Sequence, residues 1–285
     1  MADTLEIALK SVLDQIDERF EVILVDDGSR DDSVKIAQRM EIKYSNLKLI
    51  SLVRDANRKL GETRNISIRA AKGMYVLLHI DCDDITAPFI CDFVEVFHQI
   101  EQAHKRDILL SGRPIQMGKK AFLLRIGPYR NIHRGEDRDL WNRSLKIGAY
   151  IPLFHKSFKT RLPKSKSEQL RRDIYYTFDH LRNDFRRGLG LGGFILSELK
   201  YHKQFSMKMS ILRFAICPIA WLQAKREGVI DMSSADSSKP LSAEESVDYI
   251  NNNGGTYAEI LGRFGVTPNW EAISDEGKNM FAEGD

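Results

Sequence analysis

The segment from Tyr75 to Asp84, YVLLHIDCDD, constrains the fold more than any other part of the chain. An apolar run bounded by Gly73 ends abruptly in Asp81, Asp83 and Asp84. Such a run reads as a buried strand. Side chains alternate along a strand, so Asp81 and Asp83 share one side of its end. Like charges held that close repel unless something positive lies between them. A hard divalent cation carrying a phosphate satisfies them, because Mg²⁺ and Mn²⁺ prefer oxygen ligands. The alternative is a solvated acidic turn that caps the next helix.

The flanking segments alternate between helix and strand. Leu5, Ala8, Leu9, Val12, Leu13 and Ile16 recur at helical spacing and predict a helix over Thr4 to Gln15. Phe20 to Val25 reads as a strand running into an acidic turn at Asp26-Asp27-Gly28-Ser29, then a helix to about Met40. Leu47–Val53 and Asp107–Ser111 read as strands, and Gly61–Lys72 as a helix. Pro88 suits the first turn of a helix reaching His104. Alternation of this kind predicts an open, mostly parallel α/β sheet flanked by helices. Ligands of such sheets bind outside the carboxyl ends of the strands, where both acidic turns fall. Past Gly112 the pattern loosens. Gly135-Glu136-Asp137 reads as a loop opening a helix, with acids favoured at its positive end, and Ala149–Phe154 as a strand.

Charge divides the chain. Residues 156–226 hold 16 Lys and Arg against 5 Asp and Glu, whereas the remainder holds 27 against 35. A basic block in an otherwise acidic protein points to an anionic partner. No basic–aromatic reader pattern accompanies it, which argues against nucleic acid. Met207–Leu222 is apolar but carries Lys208, Arg213 and Pro218, too short and too charged to span a bilayer. It fits a helix lying in an anionic membrane interface, or else a buried amphipathic helix. Three cysteines without metal or disulfide spacing, and a first segment that is neither basic nor apolar, predict a cytoplasmic protein, peripheral on the inner face of the membrane. Ser233–Pro240 reads as a polar linker and residues 242–285 as an acidic tail with few anchors. The division predicted is therefore 1–155, 156–230 and 231–285.

Four motifs, in order, resemble family 2 glycosyltransferases of the GT-A fold, over roughly residues 4 to 155. They are Val25-Asp26-Asp27-Gly28-Ser29; Asn57, Gly61, Arg64 and Asn65 at N-x-x-x-G-x-x-x-N spacing; Asp81-Cys82-Asp83-Asp84; and Gly135-Glu136-Asp137 with Asp139, Leu140 and Arg143. The resemblance implies a nucleotide-diphospho-sugar donor held by Asp26, Asp27, Ser29, Asn57, Gly61, Arg64 and Asp81. It implies Mn²⁺ or Mg²⁺ at Asp81 and Asp83, and inversion with a general base at Asp137 or its rival Glu136. A lipid-linked or surface-glycan acceptor fits the basic, partly apolar block.

The family's usual opening strand and its Pro-x-Tyr/Phe-Asn-like turn are not seen. Either the working start lies upstream of Met1, or this is a decayed copy that binds nucleotide sugar without turnover. A chain lacking that central strand is expected to be poorly stable or nearly inactive, because unpaired buried backbone groups cost about 1–3 kcal/mol each. Neighbouring strands would have to close the gap.

Overall fold

The computed structural model describes residues 2–78, 80–112, 115–132, 135–156, 159–161, 166–201, 207–229 and 243–283. The first elements follow the sequence pattern: α1 (Ala2–Leu13), β1 (Val22–Asp26), α2 (Ser33–Lys43), β2 (Leu47–Ser51), α3 (Leu60–Ala70) and β3 (Tyr75–Leu78). Next come β4 (Asp84–Thr86), α4 (Ile90–His104), β5 (Leu109–Gly112), β6 (Ile115–Lys119), α5 (Lys120–Arg125), α6 (Glu136–Lys146), β7 (Tyr150–Pro152) and β8 (Lys159–Arg161). The C-terminal part is helical: α7 (Lys166–Arg186), α8 (Leu191–Tyr201), α9 (Met207–Glu227), α10 (Ala243–Asn253), α11 (Tyr257–Gly262) and α12 (Asp275–Phe281).

The result is a mixed α/β sheet system flanked by helices. β1 pairs with β2 in parallel, Val22 opposite Leu47. A second sheet has the order β3-β6-β5-β7, with β7 parallel to β5 and β6 antiparallel to both of its neighbours. β6 was invisible to the pattern because it is buried on both faces, Gln116 included, so no polar alternation marks it. β4 and β8 form a separate antiparallel ribbon.

The neighbouring strands do not close up as expected. Among the described residues, β1–β2 and β3–β6–β5–β7 form separate sheets. Hydrogen bonds tie the segments that flank them. Gln15 Oε1 accepts from the amides of Phe89 and Ile90, both at 2.9 Å, and Ser11 Oγ accepts from Thr86 at 3.0 Å. On the other side, Glu21 Oε1 accepts from the Gly73 amide at 2.9 Å.

The acidic tail is not a solvated end. Tyr257, Ile260, Leu261 and Phe281 join Phe89, which precedes α4, and Phe93 and Phe97 of α4 in one buried cluster. Buried Asp92 accepts from the Ser274 amide at 2.8 Å and its hydroxyl at 2.6 Å, and the Phe154 amide donates to Gly255 O at 2.8 Å. Few apolar residues sufficed because each is large and meets one helix. The expected linker Ser233–Pro240 lies outside the described residues. In α9, Ile216, Cys217 and Ala220 pack with Leu181 and Phe185 of α7 and Phe194 of α8, while Ile211, Ile219 and Leu222 face outward. The helix is therefore buried on one face and exposed on the other.

Candidate active site

The three carboxylates of the acidic turn converge. β3 ends at Leu78, so Asp81 and Asp83 lie on the turn into β4 rather than on the pleat of the strand. Even so, one carboxylate oxygen from each of Asp81, Asp83 and Asp84 lies within 4.8 Å of the others. Asp84 is buried and opens β4, whose ladder places it opposite Arg161. An all-oxygen donor set of this kind suits a hard divalent cation. Burial, with Asp81 and Asp83 adding to it, pushes the Cys82 thiol up to about 11, so it offers no thiolate at neutral pH.

The first acidic turn splits into two roles. Asp26 accepts from the amides of Gly28 and Ser29, each at 3.1 Å, and so closes its own turn. Asp27 pairs with Arg58 at 2.5 Å and accepts from Thr63 Oγ1 at 3.3 Å. Asn131 stitches the facing loop to the chain, donating to Asn57 O at 2.9 Å and accepting from the Lys59 amide at 2.8 Å. Gly61 allows that loop to approach, because a Cβ there would lie 1.8 Å from the Arg130 carbonyl oxygen. A cleft of 1370 Å³ here is lined by Asp27, Arg54, Asn57, Arg58 and Tyr129, with Arg182 and Arg186 of α7 across it. Asp26 and Ser29 do not line it. Arg58 and Asn131 were not singled out from sequence, since an isolated loop cation or amide carries no pattern.

The start of α6 separates the two candidate bases. Glu136 is buried and pairs with Arg64 at 2.7 Å. Arg64 in turn lies over the Tyr129 ring, 5.5 Å from its centroid. Burial holds the Tyr129 phenol protonated far above its ordinary value. Buried Asn65 fixes the Tyr129 backbone in both directions, at 2.7 and 2.9 Å. Asp139 pairs with Arg130 and with Arg143 at 3.0 Å, and Arg143 donates to the carbonyls of Ile126 at 2.6 Å and Pro128 at 2.8 Å. Asp137 is half-buried in the first turn, where it accepts from the Arg138 amide at 2.7 Å. Its charge acts on Tyr129 and on Arg187, whose guanidinium donates to Gly135 O at 2.7 Å. Arg64, Tyr129 and Asp81 line a second groove, and Arg64 reaches from it to Glu136 at the start of α6. Trp141 stacks on Tyr150 and Trp221 packs beside the α7–α9 cluster, both as packing residues. His133 lies outside the described residues.

An α/β sheet with acidic turns and an arginine-lined cleft at its strand ends has the layout of a nucleotide-binding protein. The family model described as "Glycosyl transferase family 2" matches residues 2–162, more than half of the chain, and the chain belongs to that family. It is 32% identical over 110 residues to the cholesterol galactosyltransferase of Borreliella burgdorferi, covering 39% of this chain and 29% of the relative. It is 36% identical over 84 residues to the putative glycosyltransferase EpsH of Bacillus subtilis, covering 30% and 23%. The matched stretch thus spans less than a third of either relative. Among solved structures, S. aureus TarS 1–349 aligns at 17% identity and a TM-score of 0.47, covering 97% of this chain and 79% of that one. The mannosyltransferase PcManGT from Pyrobaculum calidifontis, in complex with GDP-Man and Mn²⁺, aligns at 15% and 0.46, covering 88% and 76%.

Proposed function

We propose that this chain is an inverting, metal-assisted glycosyltransferase that moves a sugar from a nucleotide-diphospho-sugar to a hydroxyl of a lipid-linked or surface-glycan acceptor. The observation that carries this reading is a pair of features: a carboxylate trio within 4.8 Å at the acidic turn, and a half-buried Asp137 beside a Glu136 that is ion-paired to Arg64. In this reading Asp27 and Asn57 hold the base side of the donor, and Arg64 faces the diphosphate with a forked cation. Asp81 and Asp83 would hold Mn²⁺ or Mg²⁺, which would supply positive charge for the departing nucleoside diphosphate. Asp137 takes the proton of the acceptor hydroxyl as its oxygen bonds to the anomeric carbon and the bond to the diphosphate oxygen breaks. Glu136 stays with Arg64 and acts by positioning it.

The outward face of α8 and α9 supports a peripheral site on an anionic membrane, at the cytoplasmic face. Among the described residues no helix is long and apolar enough to cross a membrane. A lipid acceptor suits such a site, and the galactosyltransferase relative is named for a sterol.

The test is donor turnover across a panel of nucleotide sugars with Mn²⁺ or Mg²⁺, using Asp83→Ala and Asp137→Ala as controls. Metal-dependent release of nucleoside diphosphate that both substitutions abolish is the expected result. Retention of anomeric configuration in the product overturns inversion. Donor binding with no turnover under any metal selects the decayed copy instead.

A further inference from the structure

Asp137 lies in the first turn of α6, and a residue 52 positions beyond the cap of that helix holds the turn in place. Gly135 caps α6 in the left-handed region, at a φ of 74°. Its carbonyl accepts twice, from the Asp139 amide at 3.0 Å and from the Arg187 guanidinium at 2.7 Å. The first bond is the helix's own, and the second comes from the end of α7. A side chain on Gly135 would obstruct it, because a Cβ there would lie 3.2 Å from both terminal nitrogens of Arg187.

The last turns of α7 carry three rows at i, i+4 spacing. Leu181 and Phe185 pack against α9. Arg182 and Arg186 pair with Glu227 at the end of α9, at 3.5 and 2.9 Å. The third row is Asn183, which is buried at the rim of the cleft, and Arg187, which reaches α6. Two rows thus fix α7 on α9, so Arg187 extends from a firmly held element. Asp184 joins the contact: it lies 3.9 Å from Arg187 and pairs with Arg138 of α6 at 3.3 Å.

This arrangement is costly. The Arg187 side chain is 11% exposed. Burial pulls its pKa below the ordinary value and Arg138 adds to that, while Asp184, Asp139 and Asp137 oppose it. An apolar residue would cover the start of α6 at lower cost, since buried charge is expensive even when paired. A forked cation does what an apolar residue does not, holding a carbonyl with one nitrogen and facing a carboxylate with the other. Glu136 is held by Arg64 and Gly135 by Arg187, so both residues preceding Asp137 are fixed.

We infer that Arg187 is a positioning residue for the transfer reaction: it clasps the Gly135 carbonyl and so fixes the first turn of α6, from which Asp137 presents its carboxylate. The inference rests on the reading of Asp137 as the base. Arg187 lines neither the cleft nor the groove described above, so it acts through the backbone of that turn. It also lies past residue 162, where the family match ends.

The experiment uses the full chain. Without any ligand, Arg187→Ala is expected to speed hydrogen exchange at the Asp139 amide about tenfold, as a charged hydrogen bond to the turn is lost. Guanidinium ion, added far below denaturing concentration, is expected to restore protection. Arg187→Lys is expected to exchange fast as well, because an ammonium lacks the fork. Turnover is then followed with the nucleotide sugar that reacts fastest in the donor panel. In Arg187→Ala kcat is expected to fall roughly 10–100-fold, the scale of a misplaced catalytic group, with the KM for donor unchanged. Added to Asp137→Asn, the same substitution is expected to cost nothing further, because the group it places is gone. Unchanged exchange at Asp139, unchanged kcat, or a full further loss on top of Asp137→Asn overturns the inference. Full activity in Asp137→Asn overturns the base reading itself, and that result is obtained without any change at Arg187.

Discussion

Two adjacent carboxylates at the start of α6 have very different surroundings, on which the proposed roles rest. Glu136 is buried against Arg64, whereas Asp137 is half-buried and bonds only locally to the Arg138 amide among the contacts described above. Asp137→Asn is therefore expected to lower kcat by roughly 10²–10⁴-fold, the usual contribution of a general base, with the melting temperature unchanged. Glu136→Gln should instead show in denaturant titrations, costing about 1–3 kcal/mol as a buried charged partner is lost. The opposite pattern would exchange the two roles. Gly61→Ala is expected to weaken donor binding and destabilise the protein by about 1–3 kcal/mol, since its methyl must push the Arg130 carbonyl away. Calorimetric titration with nucleoside diphosphate checks the first effect, and a melting curve the second. At this scale the acids were legible from sequence because they cluster and end an apolar run. Arg58 was not, because its partner Asp27 lies 31 residues away and nothing in the local pattern joins them. Asp26 closes its own turn, and in sequence such a residue looks the same as one that faces a ligand.

Apart from β4, the elements up to β5 were legible because their periodicities are clean, and so were α6, β7 and α9; the packing of the last helices was not, because charge hid a few decisive apolar residues. Phe281 is fully buried against Phe89 and Phe93, so Phe281→Ala is expected to cost about 3–5 kcal/mol in chemical denaturation. A solvated tail would show no change. The start of α11 gives a pH signature. Thr256 and Glu259 form a reciprocal capping box, and the Thr256 amide holds the Glu259 carboxyl below its ordinary value of 4.5. A carboxyl whose folded value lies below its unfolded one stabilises the fold above the unfolded value. That contribution disappears as pH falls through the folded value. Stability should therefore decline below pH 4.5. Glu259→Gln keeps the reciprocal hydrogen bond without the titration, so its unfolding midpoint should fall less steeply over the same acid range. Equal slopes in the two proteins would remove Glu259 from the acid response.

At the scale of the whole molecule, charge and shape coincide on one face. Along α9 the stripe Lys208, Ile211, Ala215, Ile219, Leu222 and Arg226 follows helical spacing, with apolar residues between two terminal cations. Ile211 is 63% exposed and Leu222 55%. α8 adds Leu196 and Leu199, also exposed. The opposite side of α9 is occupied by α7, so removing the helix would strip Leu181 and Phe185 of their cover and confuse lost folding with lost docking. Changes on the outer stripe avoid that problem. Sedimentation with vesicles containing anionic lipid is expected to bring the protein down, with less bound as salt rises. Ile211→Glu with Leu222→Glu should abolish sedimentation and leave the melting temperature unchanged, since neither side chain is buried in the protein. Lys208→Gln with Arg226→Gln should weaken it by roughly tenfold or more, at about 1 kcal/mol for each cation near the surface. Equal binding to neutral vesicles would assign the face to apolar contact alone, and no binding to either would leave the basic block as a solvated helical surface. The geometry favours docking because both requirements of an interfacial helix meet on one stripe, apolar residues directed outward and cations where the headgroups would lie.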